Sequence, residues 1–144
     1  MIKLEVLSEE KNWSKRIKKK EIFFKSVCKS FPKKYRVFNK KLSLTLLLSN
    51  NKSIKKLNKK FRNKNKSTDV LSFPFHNETK LKYLLKNEKE IYLGDIIINF
   101  NEVGYKNNLK LFKSRFDKLW VHGLVHLFGH DHKSEKDFKK LRRN

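Results

Sequence analysis

The chain has one cysteine, two prolines and four glycines in 144 residues, and 14 acidic side chains against 37 basic ones. With Cys28 alone, no intrachain disulfide can form, and a reducing compartment fits better than an oxidising one. Cys28 itself reads as a small core residue. The start of the chain, Met1 to Glu10, carries acids and lacks the basic stretch and apolar run of a secretory leader. No apolar run approaches membrane-spanning length, so the expected location is the cytoplasm. Internal repeats, interdomain linkers and low-complexity segments are also missing. The length suits one domain, residues 1–144, with a core of its own.

What is abundant is positive charge: a formal +23 and a pI near 10.2. Part of this excess is compositional, because Lys, Asn, Ile and Phe are rich while Ala and Gly are scarce, as in A/T-rich genomes. About half of the charge signal is discounted on that ground. The rest is clustered, around Lys15 to Lys20, Lys55 to Lys66 and Lys133 to Arg143, with Phe61 and Arg62 inside the middle cluster. Such clusters attract polyanions such as phosphate backbones and displace their counterions, which points to RNA or ribosomes.

Periodicity predicts four strands, at Ile2–Val6, Leu42–Leu48, Asp69–Phe75 and Tyr92–Asn99. A helix carrying Trp13, Ile17, Ile22, Phe23 and Val27 is expected to close at Phe31-Pro32, and Ser49 to Ser53 offers caps for a second through Ile54, Leu57 and Phe61. Arg62 falls at that helix's end, and Asn63 to Lys66 reads as a loop. His76 to Glu90 is polar and is expected to be a mobile connection. From Leu109 to Phe128, the residues Leu111, Phe112, Phe116, Leu119, Trp120, Leu124 and Val125 recur at helical spacing. A last amphipathic stretch contains Phe138 and Leu141. The expected fold is α+β: a single mixed four-stranded sheet covered by about five helices.

Four of the five histidines fall within the run His122-Gly123-Leu124-Val125-His126-Leu127-Phe128-Gly129-His130-Asp131-His132. His122 and His126 lie one helical turn apart on one face, so both imidazoles can reach one ion. Gly129 suits a helix end, after which His132 can fold back as a third ligand. Three ligands and an open position are the arrangement of catalytic zinc, although three imidazoles also accept nickel, copper or iron. The metal site is thus expected on a C-terminal helix and the turn after it. Asp131 is a candidate to orient a histidine by accepting its other N–H, with a turn-forming role as the simpler alternative. His130 is a candidate extra ligand.

The pattern His-Gly-x-x-His-Leu-x-Gly-x-Asp-His resembles the signature of the YbeY family, bacterial endoribonucleases of rRNA maturation. Leu57-Asn58 with Arg62, then Ser67-Thr68-Asp69-Val70-Leu71-Ser72-Phe73-Pro74, match a second block of that family, and Leu93-Gly94-Asp95-Ile96-Ile97-Ile98 a third. Where the family usually has tyrosine, this chain has His130. The resemblance implies an α+β fold and a metal-dependent endoribonuclease preferring single-stranded RNA, acting in maturation of the 16S rRNA 3′ end and in ribosome quality control. It also implies small-subunit ribosomal proteins and the GTPase Era as partners, and a catalytic role for Arg62.

The residues agree with that chemistry. A metalloprotease with histidines at this spacing would carry glutamate directly after the first, and here that residue is Gly123. Phosphodiester cleavage depends more on electrostatics, and the Arg62 guanidinium can grip two phosphate oxygens at once. Asp69 and Asp95 are expected at strand starts with structural hydrogen bonds, and His76 is expected outside the site. The competing class is a noncatalytic RNA- or ribosome-binding protein whose structural zinc is closed by His130.

Overall fold

Leucines at every second position from Leu42 to Leu48 give one strand a continuous apolar face, and the sheet is assembled around it. The computed structural model describes residues 2–8, 13, 41–104 and 108–129. In chain order the elements are β1 (Ile2–Ser8), β2 (Lys41–Ser49), α1 (Asn51–Arg62), β3 (Val70–Pro74), α2 (Glu78–Asn87), β4 (Glu90–Asn99), α3 (Phe100–Val103) and α4 (Leu109–Leu127). The strands form one sheet in the order β1-β2-β4-β3. β1, β2 and β4 are parallel, and β3 runs antiparallel along the β4 edge. This is the mixed α+β architecture expected from the sequence, with four helices among the described residues. Of the expected early helix only Trp13 is described, and the stretch around Phe138 and Leu141 lies outside the described residues. No helix among the described residues is long and apolar enough to cross a membrane.

One face of the sheet, with Leu42, Leu44, Leu46 and Leu48 from β2 and Ile91, Leu93, Ile96 and Ile98 from β4, is buried against α4. The α4 stripe that meets it includes Phe112, Phe116, Trp120 and Leu124. Leu111 does not join it: expected in the stripe, it is 45% exposed, because the face turns by about 100° per residue and Phe112 takes the inward position. Trp13 packs edge-on against Phe100, Phe112 and Phe116 and donates its indole N–H to the Ser49 carbonyl at 3.0 Å. The opposite face carries a smaller cluster, Ile54, Leu71 and Ile97, with Leu47, Leu57 and Phe73 around it.

Two expectations fail here. The segment from His76 to Glu90, expected only as a connection, carries a helix: Asn77 caps α2 by accepting from the Lys80 amide at 2.8 Å, and Leu81 is buried in the core. Asp95 is not at a strand start either, because β4 begins at Glu90. The pairing of β4 with β2 shifts between Ser43↔Tyr92 and Thr45↔Asp95, so β4 holds one extra residue there. Gly94 in that bulge has φ +138°, and a Cβ on it would lie 2.3 Å from the Phe73 carbonyl. The bulge changes the parity of β4 and brings Tyr92 and Asp95 to the same face. There the Tyr92 hydroxyl donates to Asp95 and lies 2.6 Å from Thr45 Oγ1. Burial, and then the bond to the Asp95 carboxylate, push the Tyr92 phenol above its ordinary value.

The end of β4 is tied to α1 by the buried side-chain amide of Asn99. Asn99 donates Nδ2 to Asn51 Oδ1 at 2.6 Å and to the Thr68 carbonyl at 3.0 Å, and its Oδ1 accepts from the Asn101 amide at 3.0 Å. Asn50 caps α1 by accepting from the Ser53 amide at 3.0 Å. Asn99 is itself buried, and truncating it would remove three bonds that hold α1, the loop before β3 and α3 together. Asn99→Ala is expected to lower stability by about 2–3 kcal/mol in urea unfolding, and a loss below about 0.5 kcal/mol would contradict this account of how α1 is held.

Candidate active site

The site begins with the way α4 lies on the sheet. Gly123 faces β4 and β3, and a Cβ there would come within 2.7 Å of Ile96 Cγ2 and 3.0 Å of Ser72 Oγ. No side chain fits. The helix therefore settles close enough for Ser72 Oγ to donate to the Gly123 carbonyl at 2.8 Å. The same contact leaves no space for glutamate at 123, the base that a peptidase with this histidine spacing would carry there.

His122 and His126, on either side of Gly123 in sequence and half-buried, leave the helix at its polar edge. Their Nε2 atoms are 3.0 Å apart and the rings meet edge-to-face with centroids 4.6 Å apart. Two imidazoles on a tetrahedral zinc, with bonds of about 2.0–2.1 Å, would hold their nitrogens roughly 3.3 Å apart, so the pair fits one ion with a small ring movement. α4 ends at Leu127, and Gly129 follows with φ +89°, its amide donating to the His126 carbonyl at 3.0 Å. The left-handed turn expected at Gly129 is present. The expected third ligand His132, and also His130 and Asp131, lie outside the described residues. Among the described residues no group of three His, Cys, Asp or Glu side chains could hold a metal.

The facing wall comes from α1. Arg62 is its last residue, and Asn63, with φ 56°, turns the chain while Lys64 donates to the Asn58 carbonyl at 3.2 Å. The buried Asn58 side chain then donates to the Lys66 carbonyl at 2.9 Å and fastens the loop across the helix end. The result is a cleft of about 440 Å³ lined by Arg62, Lys64 and Lys66 on one side and His122 and His126 on the other. Ser72 and Pro74 of β3 contribute to its floor.

The sequence singled out Arg62 and the two histidines, and the fold brings all three to this cleft. Lys64 and Lys66 were legible only as loop lysines. The recoverable signal was the four-residue spacing of Asn58 and Arg62, which puts both on one helix face. Asp69 also lines the cleft, but its carboxylate accepts from the Val70 amide at 2.8 Å and pairs with Arg115 at 3.3 Å. Asp95 lies with Tyr92 on the other face of the sheet. His76 packs edge-on against Phe75, with centroids 4.8 Å apart, outside the cleft.

Fold and cleft together define a small α+β domain that sets a histidine pair opposite a cluster of cations. The family model described as endoribonuclease YbeY matches residues 6–144, and the chain belongs to that family. A protein named endoribonuclease YbeY from Pelagibacter ubique (strain HTCC1062) is 52% identical over 143 residues, covering 98% of this chain and 90% of that protein. One of the same name from Caldicellulosiruptor bescii is 40% identical over 106 residues, covering 69% and 66%. A solution structure from Thermotoga maritima shares the fold, with a TM-score of 0.54 over 97% of this chain and 84% of that one, at 23% identity.

Since the close approach at residue 123 sets where the histidines emerge, Gly123→Ala is expected to cost about 1–3 kcal/mol in chemical denaturation. Unchanged stability would show that α4 has slack against the sheet and that the glycine does not position the site.

Proposed function

We propose that the chain is a metal-dependent endoribonuclease that cuts single-stranded RNA in rRNA maturation and ribosome quality control, in the cytoplasm. The observation that carries this reading is the single cleft in which Arg62, Lys64 and Lys66 face His122 and His126. A site for cutting a phosphodiester must neutralise charge on the scissile phosphate and on its neighbours, and must stabilise the further charge that develops in the transition state. Arg62 presents two parallel N–H groups to two non-bridging oxygens, while Lys64 and Lys66 act on flanking phosphates as point charges.

Zinc would be held by His122 and His126, with His132 as the third ligand and Asp131 and His130 beside it. Bound there, the ion supplies Lewis acidity and a water of lowered pKa. The surrounding groups fix the geometry. The Ser72 bond to the Gly123 carbonyl holds the helical turn that bears both imidazoles, and Arg115 keeps the Asp69 carboxylate engaged beside the cations. Membership in an endoribonuclease family favours this reading over a noncatalytic binding protein with a closed zinc site. Ribosomal small-subunit proteins and the GTPase Era are the proposed partners for targeting.

The test is cleavage of end-labelled single-stranded and duplex RNA, with bound metal quantified in each sample. Wild type is expected to cut single strands. Arg62→Ala should keep its metal and lose about 10²–10³-fold in cleavage rate, whereas His126→Ala should lose metal and cleavage together. Equal activity of Arg62→Ala and wild type would remove the arginine from the reaction.

A further inference from the structure

The other face of the sheet carries a second opening, a groove of about 520 Å³ lined by Leu47, Leu57 and Ile97, by Phe61 and Phe73, and by Asp95, whose carboxylate accepts from the Tyr92 hydroxyl. The two phenyl rings stand edge-to-face with centroids 5.4 Å apart, and Phe61 is 58% exposed. Lys60 Nζ lies 5.3 Å from the centre of the Phe61 ring. A half-exposed phenylalanine capping a small apolar cluster is the plain account of this arrangement. Three features go beyond it.

The first is charge. α1 carries Lys52, Lys55, Lys56, Lys59, Lys60 and Arg62 and no carboxylate. Like charges three and four residues apart repel along the helix, so α1 is built to meet an anion. The second is alternation. Asn58 and Arg62 look into the histidine cleft, while Leu57 and Phe61, each one residue earlier, look into the groove. On β3, Val70, Ser72 and Pro74 line the cleft, while Phe73 lines the groove. The third follows from these: the cleft and the groove are neighbours at one edge strand and one helix end, with Arg62 of the one and Phe61 of the other adjacent in sequence. A partner with anionic and apolar groups in regular alternation, able to bend round an edge, is a single-stranded nucleic acid. Stacking of an unpaired base on an aromatic ring beside a cation is its usual mode of binding.

We propose that Phe61 and Phe73 form a stacking subsite for an unpaired nucleobase next to the phosphate held at Arg62. This rests on the single-strand reading above and deepens it, since duplex RNA has no free base to place there. The subsite would make the preference for single strands a property of the fold, separate from the histidines.

The test is fluorescence anisotropy with labelled single-stranded oligodeoxyuridylate, which carries bases and phosphates but resists ribonuclease action, and with an abasic strand of the same length. Phe61→Leu keeps an apolar side chain and removes the ring, and circular dichroism checks its fold. Expected are roughly 10-fold weaker binding of Phe61→Leu to the base-bearing strand, binding by Phe61→Trp at least as tight as wild type, and no difference among the three on the abasic strand. Equal binding of Phe61→Leu and wild type to the base-bearing strand overturns the subsite and leaves the groove to an apolar side chain of a protein partner. A loss that persists on the abasic strand also overturns it, as a structural effect. If wild type binds neither strand, the single-strand reading itself falls, and the subsite with it.

Discussion

The structure depends on one close contact, that of α4 with the sheet at Gly123. Hydrogen replaces a side chain where Ile96 and Ser72 come closest, and the distances leave no space for even a methyl group. Everything placed by α4 follows from this. The buried stripe from Phe112 to Leu124 can press on β2 and β4, and the polar edge carrying His122 and His126 is fixed relative to β3. A helix lying further out would still fold, but its imidazoles would no longer face the end of α1.

The second organising constraint is the edge strand β3. Its five residues alternate between two environments, with Ser72 and Pro74 toward the histidines and Phe73 toward the groove under α1. α1 follows the same division from outside, its Asn58 and Arg62 on one side and its Leu57 and Phe61 on the other. A short edge strand is ordinarily a place where sheets risk pairing with other chains. Here it serves as a rib between a cationic cleft and an aromatic groove. α1 itself carries no carboxylate, and Asp69 in the cleft is engaged by Arg115.

Much of this was legible in the sequence, for identifiable reasons. The run from Leu42 to Leu48 is so apolar that the strand could be read directly. The spacing of His122, His126 and Gly129 gave the helix, the shared face and the left-handed turn. The helix from Glu78 to Asn87 was missed because charged and polar residues make up most of the stretch from His76 to Glu90; Leu81, Leu84 and Leu85 at helical spacing behind the Asn77 cap were the signal. Leu111 was misplaced by one residue of phase. The bulge at Gly94 was hidden, since one glycine in a strand does not say that the pairing shifts, and with it went the shared face of Tyr92 and Asp95. The groove was invisible as well, because it depends on two elements distant in sequence meeting across β3.

Under the proposed function, the two walls of the cleft act on one phosphate at once. The measurement that tests it most directly is a double-mutant cycle on single-turnover cleavage of single-stranded RNA, with Arg62→Ala, His126→Ala and the combined variant. If both walls act as a unit, the double variant loses little more than the more damaged single variant. If the two losses multiply, Arg62 and the histidine pair act independently, and the cleft is not one site.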